Sequence, residues 1–220
     1  MIKKPDLLFR KGLRKTARSL ASAMESLVTR KHLNRAGVRH AAKLVSYTSK
    51  RELEALLNLA LACPQGANAL EIGSHLGKSA CYLASGLSAR NGHLYCVDTW
   101  QNETMHDGEA DTLSEFKQNT QAVSHILTLR RTKSSALCAS DISLPLHLVF
   151  IDGDHTYDVV RGDFEKIAPW VADDGIVAFH DCLSYKGVSR VIGEVLSSGE
   201  WMMLGHVDNL FWIARAKFSQ

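Results

Sequence analysis

The sequence predicts an α/β protein: a mostly parallel seven-stranded sheet with helices on both faces, closed by an antiparallel hairpin at its C-terminal end. Three observations carry this. From residue 69 onward, short apolar runs alternate repeatedly with helical patterns, and repeated βα units build parallel sheets. Two late apolar runs, 201–204 and 210–214, flank a tight turn at Asp208 and Asn209 and read as a hairpin. The chain of 220 residues, 45% apolar and 22% charged, is suited to one sizeable domain with a short extension.

The extension comes first. Residues 1–43 hold twelve bases and two acids, whereas the rest of the chain holds fourteen bases and twenty-one acids. Over 7–28, Leu13, Ala17, Leu20, Met24 and Leu27 recur at spacings of three and four, one stripe of an amphipathic helix with bases on its other faces. Such a helix packs on the domain or a second subunit with a solvated basic face, or rests on an anionic membrane surface. Only Phe9 interleaves with the bases, which argues against nucleic acid. We therefore divide the chain into a basic helical extension, 1–47, and a domain, 48–220.

Ser49 and Glu52 form a capping box. The helix they start carries Leu53, Leu56, Leu57, Ala60 and Leu61 on one side, and Pro64 with Gly66 ends it. It should cover one edge of the site. The alternating units follow: strand 69–72 and helix 79–87, strand 93–97 ending at Asp98, helix 111–123, strand 126–129, strand 148–151 and helix 157–168 with Pro169 ending it, strand 176–179 and helix 188–196. The five cysteines, Cys63, Cys81, Cys96, Cys138 and Cys182, contain no C-x-x-C pair and read as reduced, buried thiols. With no bilayer-length apolar run and no leader-type apolar core, a cytoplasmic protein is expected, with the inner membrane surface as a peripheral option.

The first strand runs through Leu70-Glu71-Ile72-Gly73-Ser74-His75-Leu76-Gly77-Lys78-Ser79. Strand, glycine turn and helix N-terminus follow one another directly. The spacing fits neither a P-loop nor G-x-G-x-x-G. E-x-G-x-x-x-G, with Glu71, Gly73 and Gly77, resembles instead the first motif of Rossmann-like S-adenosylmethionine (SAM) methyltransferases. On that resemblance Glu71, Gly73, Ser74, Gly77 and Ser79 belong to the cofactor site. Asp98 ends the second strand, where a carboxylate can accept both ribose hydroxyls. Trp100 is a candidate for the adenine side or for the core, and Ser134 and Ser135 for the adenine edge or for loop filler.

Two strand tips carry the chemistry. Val149-Phe150-Ile151 runs into Asp152, Gly153, Asp154 and His155, and Ile176-Val177-Ala178-Phe179 runs into His180 and Asp181. Their strands are neighbours in this fold, so the tips converge on one pocket, with Asp152 reaching the cofactor side. Converging acids and imidazoles mark sites more often than supports. Two arrangements stay open. Asp152, His180 and Asp181 hold a divalent cation, Mg²⁺ or another, that lowers the pKa of an attacking hydroxyl. Alternatively there is no metal, Asp154 or His155 acts alone as general base, and His180 positions the acceptor.

The I-D-G-D-H-x-Y segment, a helix with Asp163, the Pro169-Trp170 pair and a G-x-x-x-x-H-D strand together resemble a bacterial family of class I SAM methyltransferases. That family is related to macrocin-type and cephalosporin-biosynthesis O-methyltransferases. The resemblance covers roughly residues 50–215 and implies O-methylation of a small-molecule, sugar or natural-product hydroxyl; a homo-oligomer is a separate expectation for the chain. In metal-dependent relatives acids at the Asp152 and Asp181 positions, and at the residue before the latter, hold Mg²⁺; here that residue is His180. An acid at the Asp154 position is the base in some sugar methyltransferases, with His155 the rival here. The loop 101–108, with Met105 and His106, reads as a lid or a plain surface loop. An NAD-dependent oxidoreductase would share the fold and Asp98, but lacks here its second glycine and a Tyr-x-x-x-Lys pair. A metal-dependent hydrolase could use the strand tips but would leave the glycine loop without a task.

Overall fold

The computed structural model describes residues 22–101 and 110–216. Helix α1 occupies 22–35 of these, and α2 spans Lys50–Ala62. Then come β1 (Asn68–Ile72), α3 (Lys78–Ser88), β2 (His93–Asp98), α4 (Leu113–Thr120), β3 (Leu127–Arg131), β4 (Leu146–Ile151), α5 (Tyr157–Ile167), β5 (Val171–Phe179), α6 (Lys186–Ser197), β6 (Trp201–Val207) and β7 (Leu210–Arg215). The sheet has seven strands in the order β3-β2-β1-β4-β5-β7-β6. β1 to β5 pair in parallel, and β7 runs antiparallel to both β5 and β6. The strand order reverses between β1 and β4, the place where open α/β sheets bind ligands.

The alternation of side chains along each strand explains why both faces are covered. Leu94 and Cys96 of β2, Leu148 and Phe150 of β4 and Ala178 of β5 point to one face, where they pack with Leu53, Leu57, Leu83 and Phe116 from α2, α3 and α4. Tyr95, Val97, Val149, Ile151, Val177 and Phe179 point to the other, against Val160, Phe164 and Val191 of α5 and α6. Glu71 occupies a sheet-core position on β1 and is fully buried.

Several boundaries move. Helix α4 ends at Thr120 and continues as a 3-10 turn over Gln121–Ile126, which delays β3 by one residue. β5 starts five residues earlier than the apolar run, because Val171 pairs with Leu146 before exposed Asp173 and Asp174 bulge out; pairing resumes at Leu148 and Ile176. α5 stops at Ile167, and Pro169 sits inside a following 3-10 turn, Ala168–Trp170. Cys138 is exposed, unlike the other four cysteines.

Residues 7–21 of the expected helix lie outside the described residues, as do 102–108 of the expected lid. Met24 and Leu27, the described members of the apolar stripe, are 67% and 59% exposed, so these two do not pack on the domain. Leu33, Val38 and Ala41 enter the core instead. Among the described residues no helix is long and apolar enough to cross a membrane.

Candidate active site

The glycine loop is set by backbone geometry. Gly73 has φ +88°, and a Cβ there would lie 2.1 Å from the Asp152 carbonyl oxygen. No side chain fits, so the turn out of β1 can press against the β4 tip only with glycine. Gly77 caps α3 at φ 85°, where a Cβ would strike Thr120 and Phe116.

Asp98 fastens this loop. Its Oδ2 accepts the N–H groups of Ser74 and His75, both at 2.8 Å, and its Oδ1 accepts that of Trp100 at 2.6 Å. The carboxylate therefore lines the cavity with part of its accepting capacity already used. Glu71 accepts the Ser74 hydroxyl at 2.6 Å and leaves Oε1 without a partner. Burial pushes its pKa up to about 7. Glu71 and Gly77 shape the loop from behind and do not line the cavity.

Trp100 is a correction: it is wholly buried and stands behind the loop, not on an adenine face. Its indole N–H donates to the His75 carbonyl at 3.1 Å, and the ring packs on Phe116 with centroids 5.0 Å apart. An aromatic beside a cofactor loop reads the same in sequence whichever way it faces.

At the other end, the sheet ladder carries two tips into one cluster. The Asp152 N–H donates to Ile72 and the His180 N–H to Ile151, which fixes both tips against the sheet. His180 is buried, with Nδ1 3.0 Å from Asp152 Oδ1 and 3.5 Å from Asp181 Oδ2. Its Nε2 lies 3.3 Å from Glu52 Oε2. Burial alone would lower the His180 pKa; the carboxylates of Asp152, Asp181 and Glu52 outweigh it and raise it to about 12. His155 Nε2 lies 3.0 Å from Asp181 Oδ2 and 3.9 Å from Asp152 Oδ1. These are close ion-pair contacts, though Nε2 is not aligned for a hydrogen bond. Burial again pulls the pKa down, and Asp152 and Asp181 carry it up to about 9. For Asp181, burial raises the pKa, and the two imidazoles more than reverse that, holding it well below the usual carboxylate range. The His155 ring also stacks on Tyr185 at 4.3 Å. Asp154 accepts the Thr156 N–H at 2.7 Å at the start of α5 and lines the cavity.

The expected cation trio of Asp152, His180 and Asp181 does not form as a ligand set, because both ring nitrogens of His180 face carboxylates. Asp152, His155 and Asp181 do present ligand atoms within 4.8 Å of one another.

Glu52 is the residue that sequence reasoning missed. It completes the capping box of α2 with Ser49 and also accepts the Asn209 N–H from the β6–β7 turn at 2.6 Å. That ties α2, the β5 tip and the hairpin together. The capping box accounted for the residue in sequence, and nothing signalled partners 128 and 157 positions away.

One cavity of about 830 Å³ runs along the carboxyl ends of the strands. It is lined by Gly73, Ser74, His75 and Ser79, by Asp98, by Ser134 and Ser135, and by Asp152, Asp154, His155, His180 and Asp181. Val45, Ser46 and Tyr47, which precede α2, line it too.

Comparison with known proteins agrees with this geometry. A family model described as a methyltransferase domain matches residues 70–182. Uncharacterized protein y4gI of Sinorhizobium fredii is 32% identical over 116 residues, 51% of this chain; the chain spans only 13% of that protein's length. Among solved structures, the O-methyltransferase TomG from Streptomyces achromogenes, involved in tomaymycin synthesis and determined with SAM, superposes with a TM-score of 0.60 at 17% identity, over 90% of this chain and 96% of that one. CalS11, a TDP-rhamnose 3'-O-methyltransferase of calicheamicin biosynthesis, gives 0.58 at 14% identity, over 76% and 81%. At these identities the structural likeness speaks for the fold. The family match runs from β1 to the tip of β5, through the glycine loop and both acid-bearing tips, and by it this chain belongs to the methyltransferase-domain family.

Proposed function

We propose that the protein is a SAM-dependent O-methyltransferase acting on a hydroxyl of a small molecule, of the sugar or natural-product class. The observation that carries the reading is the continuity of one cavity from the glycine loop and Asp98 to the Asp152–His155 and His180–Asp181 tips. Its residues suit the cofactor: an acid at the end of β2 for ribose, small hydroxyl side chains after β3, and carboxylates for a cationic amino-acid end. When bound, SAM supplies an electrophilic methyl group. TomG is named as an O-methyltransferase with SAM and CalS11 as acting on TDP-rhamnose, and we extend the reaction class from them to this chain.

The chain's own part is positioning and proton removal. Ser74, Ser79 and Asp98 hold the cofactor, with Asp152 reaching it from β4. Asp154 accepts the proton of the acceptor hydroxyl; it lines the cavity and spends one oxygen on Thr156. His155 is committed elsewhere, with Nε2 facing two carboxylates and its ring on Tyr185. It serves to hold Asp152 and Asp181, as His180 does from the buried side. A divalent cation at Asp152, His155 and Asp181 would assist the same deprotonation, and it must first displace the His155 proton.

Calorimetric titration tests the reading. S-adenosylhomocysteine should bind at micromolar concentration and NAD should not. Tight NAD binding, or no binding of S-adenosylhomocysteine, would overturn it. TDP-rhamnose, the acceptor named for CalS11, is the first to assay with radiolabelled methyl donor.

A further inference from the structure

Beyond Asp158 in its first turn, α5 lines the cavity with four residues at helical spacing: Val159, Gly162, Asp163 and Lys166. Offsets of three, four and seven put them on one helix face. Val159 gives that face partly exposed apolar surface. A Cβ on Gly162 would meet nothing within 4 Å, so the wall there is flat and open. Across from it stands the 3-10 turn Ser134–Ala136 at the end of β3. Lys166 holds this turn on α5: its ammonium donates to the carbonyls of Ser134 and Leu137, each at 3.2 Å, and of Ser135. The result is a slot of fixed width between a helix face and a pinned turn.

Asp163 sits in that slot. It is 3% exposed, and its Oδ2 has no hydrogen-bond partner among the described residues. Buried acceptors are nearly always satisfied, so an orphan in a cavity wall points to a donor that arrives with a ligand. Burial raises the Asp163 pKa to about 6, against the opposing pull of Ser134 and Lys166.

The sheet order says which part of a ligand comes here. From β3 through β2 and β1 to β4, the strand ends present the Ser134–Ala136 turn, then Asp98, then the Gly73 loop, then the Asp152 tip. A cofactor with its ribose at Asp98 and its reacting end at β4 places its base at the β3 end. We infer that Asp163 recognises the purine of the cofactor by accepting a hydrogen bond from the exocyclic amino group of adenine. The inference rests on the SAM reading above. Val159 and Gly162 provide the apolar wall for the ring, and Ser134 and Ser135 the polar edge opposite.

The test is calorimetric titration of the full chain with S-adenosylhomocysteine and with S-inosylhomocysteine, whose purine carries a carbonyl oxygen in place of the amino group. The wild-type protein should favour the adenosyl ligand by about 10-fold or more, because the inosyl oxygen meets an acceptor where a donor is required. Asp163→Asn should bring the ratio to within about 3-fold of unity or invert it, since an amide can turn its N–H₂ toward that oxygen. Asp163→Ala, which removes both acceptors, should also collapse the ratio and serves if the Asn variant lacks wild-type circular dichroism. Variants that lose affinity for both ligands equally, with the ratio intact, would mark a structural carboxyl and overturn the inference. A wild-type protein that binds both ligands equally would overturn it while leaving the cofactor reading standing. Binding of neither ligand would overturn the cofactor reading, and this inference with it.

Discussion

Replacing Glu52 by Gln should destabilise the protein by about 3–5 kcal/mol, although the residue stands at the start of a helix where most substitutions are mild. Glu52 and His180 are 2% and 3% exposed. The carboxylate accepts the Ser49 N–H at 2.6 Å, the Asn209 N–H at 2.6 Å and His180 Nε2 at 3.3 Å. Glutamine keeps the volume but has one accepting oxygen, so its amide N–H₂ must face one of these donors. A buried N–H left unpaired costs about 1–3 kcal/mol. Losing the charge facing a buried imidazolium costs about 3–5 kcal/mol when the pair is dry, less where Asp152 and Asp181 still compensate it. Taken together these give the stated range, a fall in Tm of roughly 6–20 °C for a chain of this size. Urea denaturation gives the first number and calorimetry the second. A double-mutant cycle with His180→Gln should show a coupling of at least about 2 kcal/mol. A Glu52→Gln loss under about 1 kcal/mol, or additive single effects, would refute the claim that Glu52 fastens α2 to the chemical tip.

Three further outcomes follow from the site. Gly73→Ala places a Cβ 2.1 Å from a backbone carbonyl and should abolish S-adenosylhomocysteine binding; calorimetric affinity within 10-fold of wild type would contradict the close approach. Asp154→Asn should cut turnover by about 100-fold or more and leave S-adenosylhomocysteine affinity within about 3-fold, as a base acting on the acceptor requires; equal losses in both would remove it from that role. His155 has its pKa raised from 6.5 to about 9, so the native state keeps a proton that the unfolded chain gives up. That stability is complete below about pH 6.5 and is lost as pH rises through about 9, with a slope of at most about 1.4 kcal/mol per pH unit. Urea midpoints from pH 6 to 10 should fall more steeply in the wild type than in His155→Gln, and equal slopes would count against the ion pairs.

What the sequence made legible was what depends on period and on local punctuation. Strands buried on both faces read as apolar runs, and the Ser49–Glu52 box and the turn at Asp208 and Asn209 stand where expected. The extra length of β5 was hidden by Asp173 and Asp174, because a bulge lets two exposed acids interrupt a strand that pairing nevertheless continues. The strand tips were legible as a convergence, since neighbouring parallel strands end at the same level. Their internal pairing was not. Which nitrogen of His180 meets which carboxylate depends on rotamers and on Glu52, which arrives from a helix 128 residues earlier. Trp100 failed for a similar reason: Asp98 binds the backbone of Trp100 itself, and that turn, at φ 51°, sends the indole behind the loop.

The same pairing bears on the cation question. Asp152 and Asp181 are two carboxylates converging in a half-buried place, and such a pair needs positive charge nearby. The chain provides it from both sides, His180 from the interior and His155 from the cavity. A divalent ion at Asp152, His155 and Asp181 would have to replace the His155 proton, because a coordinating imidazole must offer a lone pair. With that pKa raised to about 9, removing the proton at pH 7 costs about 3 kcal/mol, roughly 100-fold in affinity. Binding of Mg²⁺ or Mn²⁺, followed by calorimetry, should therefore tighten about 10-fold per pH unit between 7 and 9. His155→Gln should remove that dependence, and turnover at pH 7 should survive EDTA. Tight, pH-independent metal binding with activity lost to EDTA and restored by metal would show instead that the ion, and not His155, is the cation this acidic pair was built around.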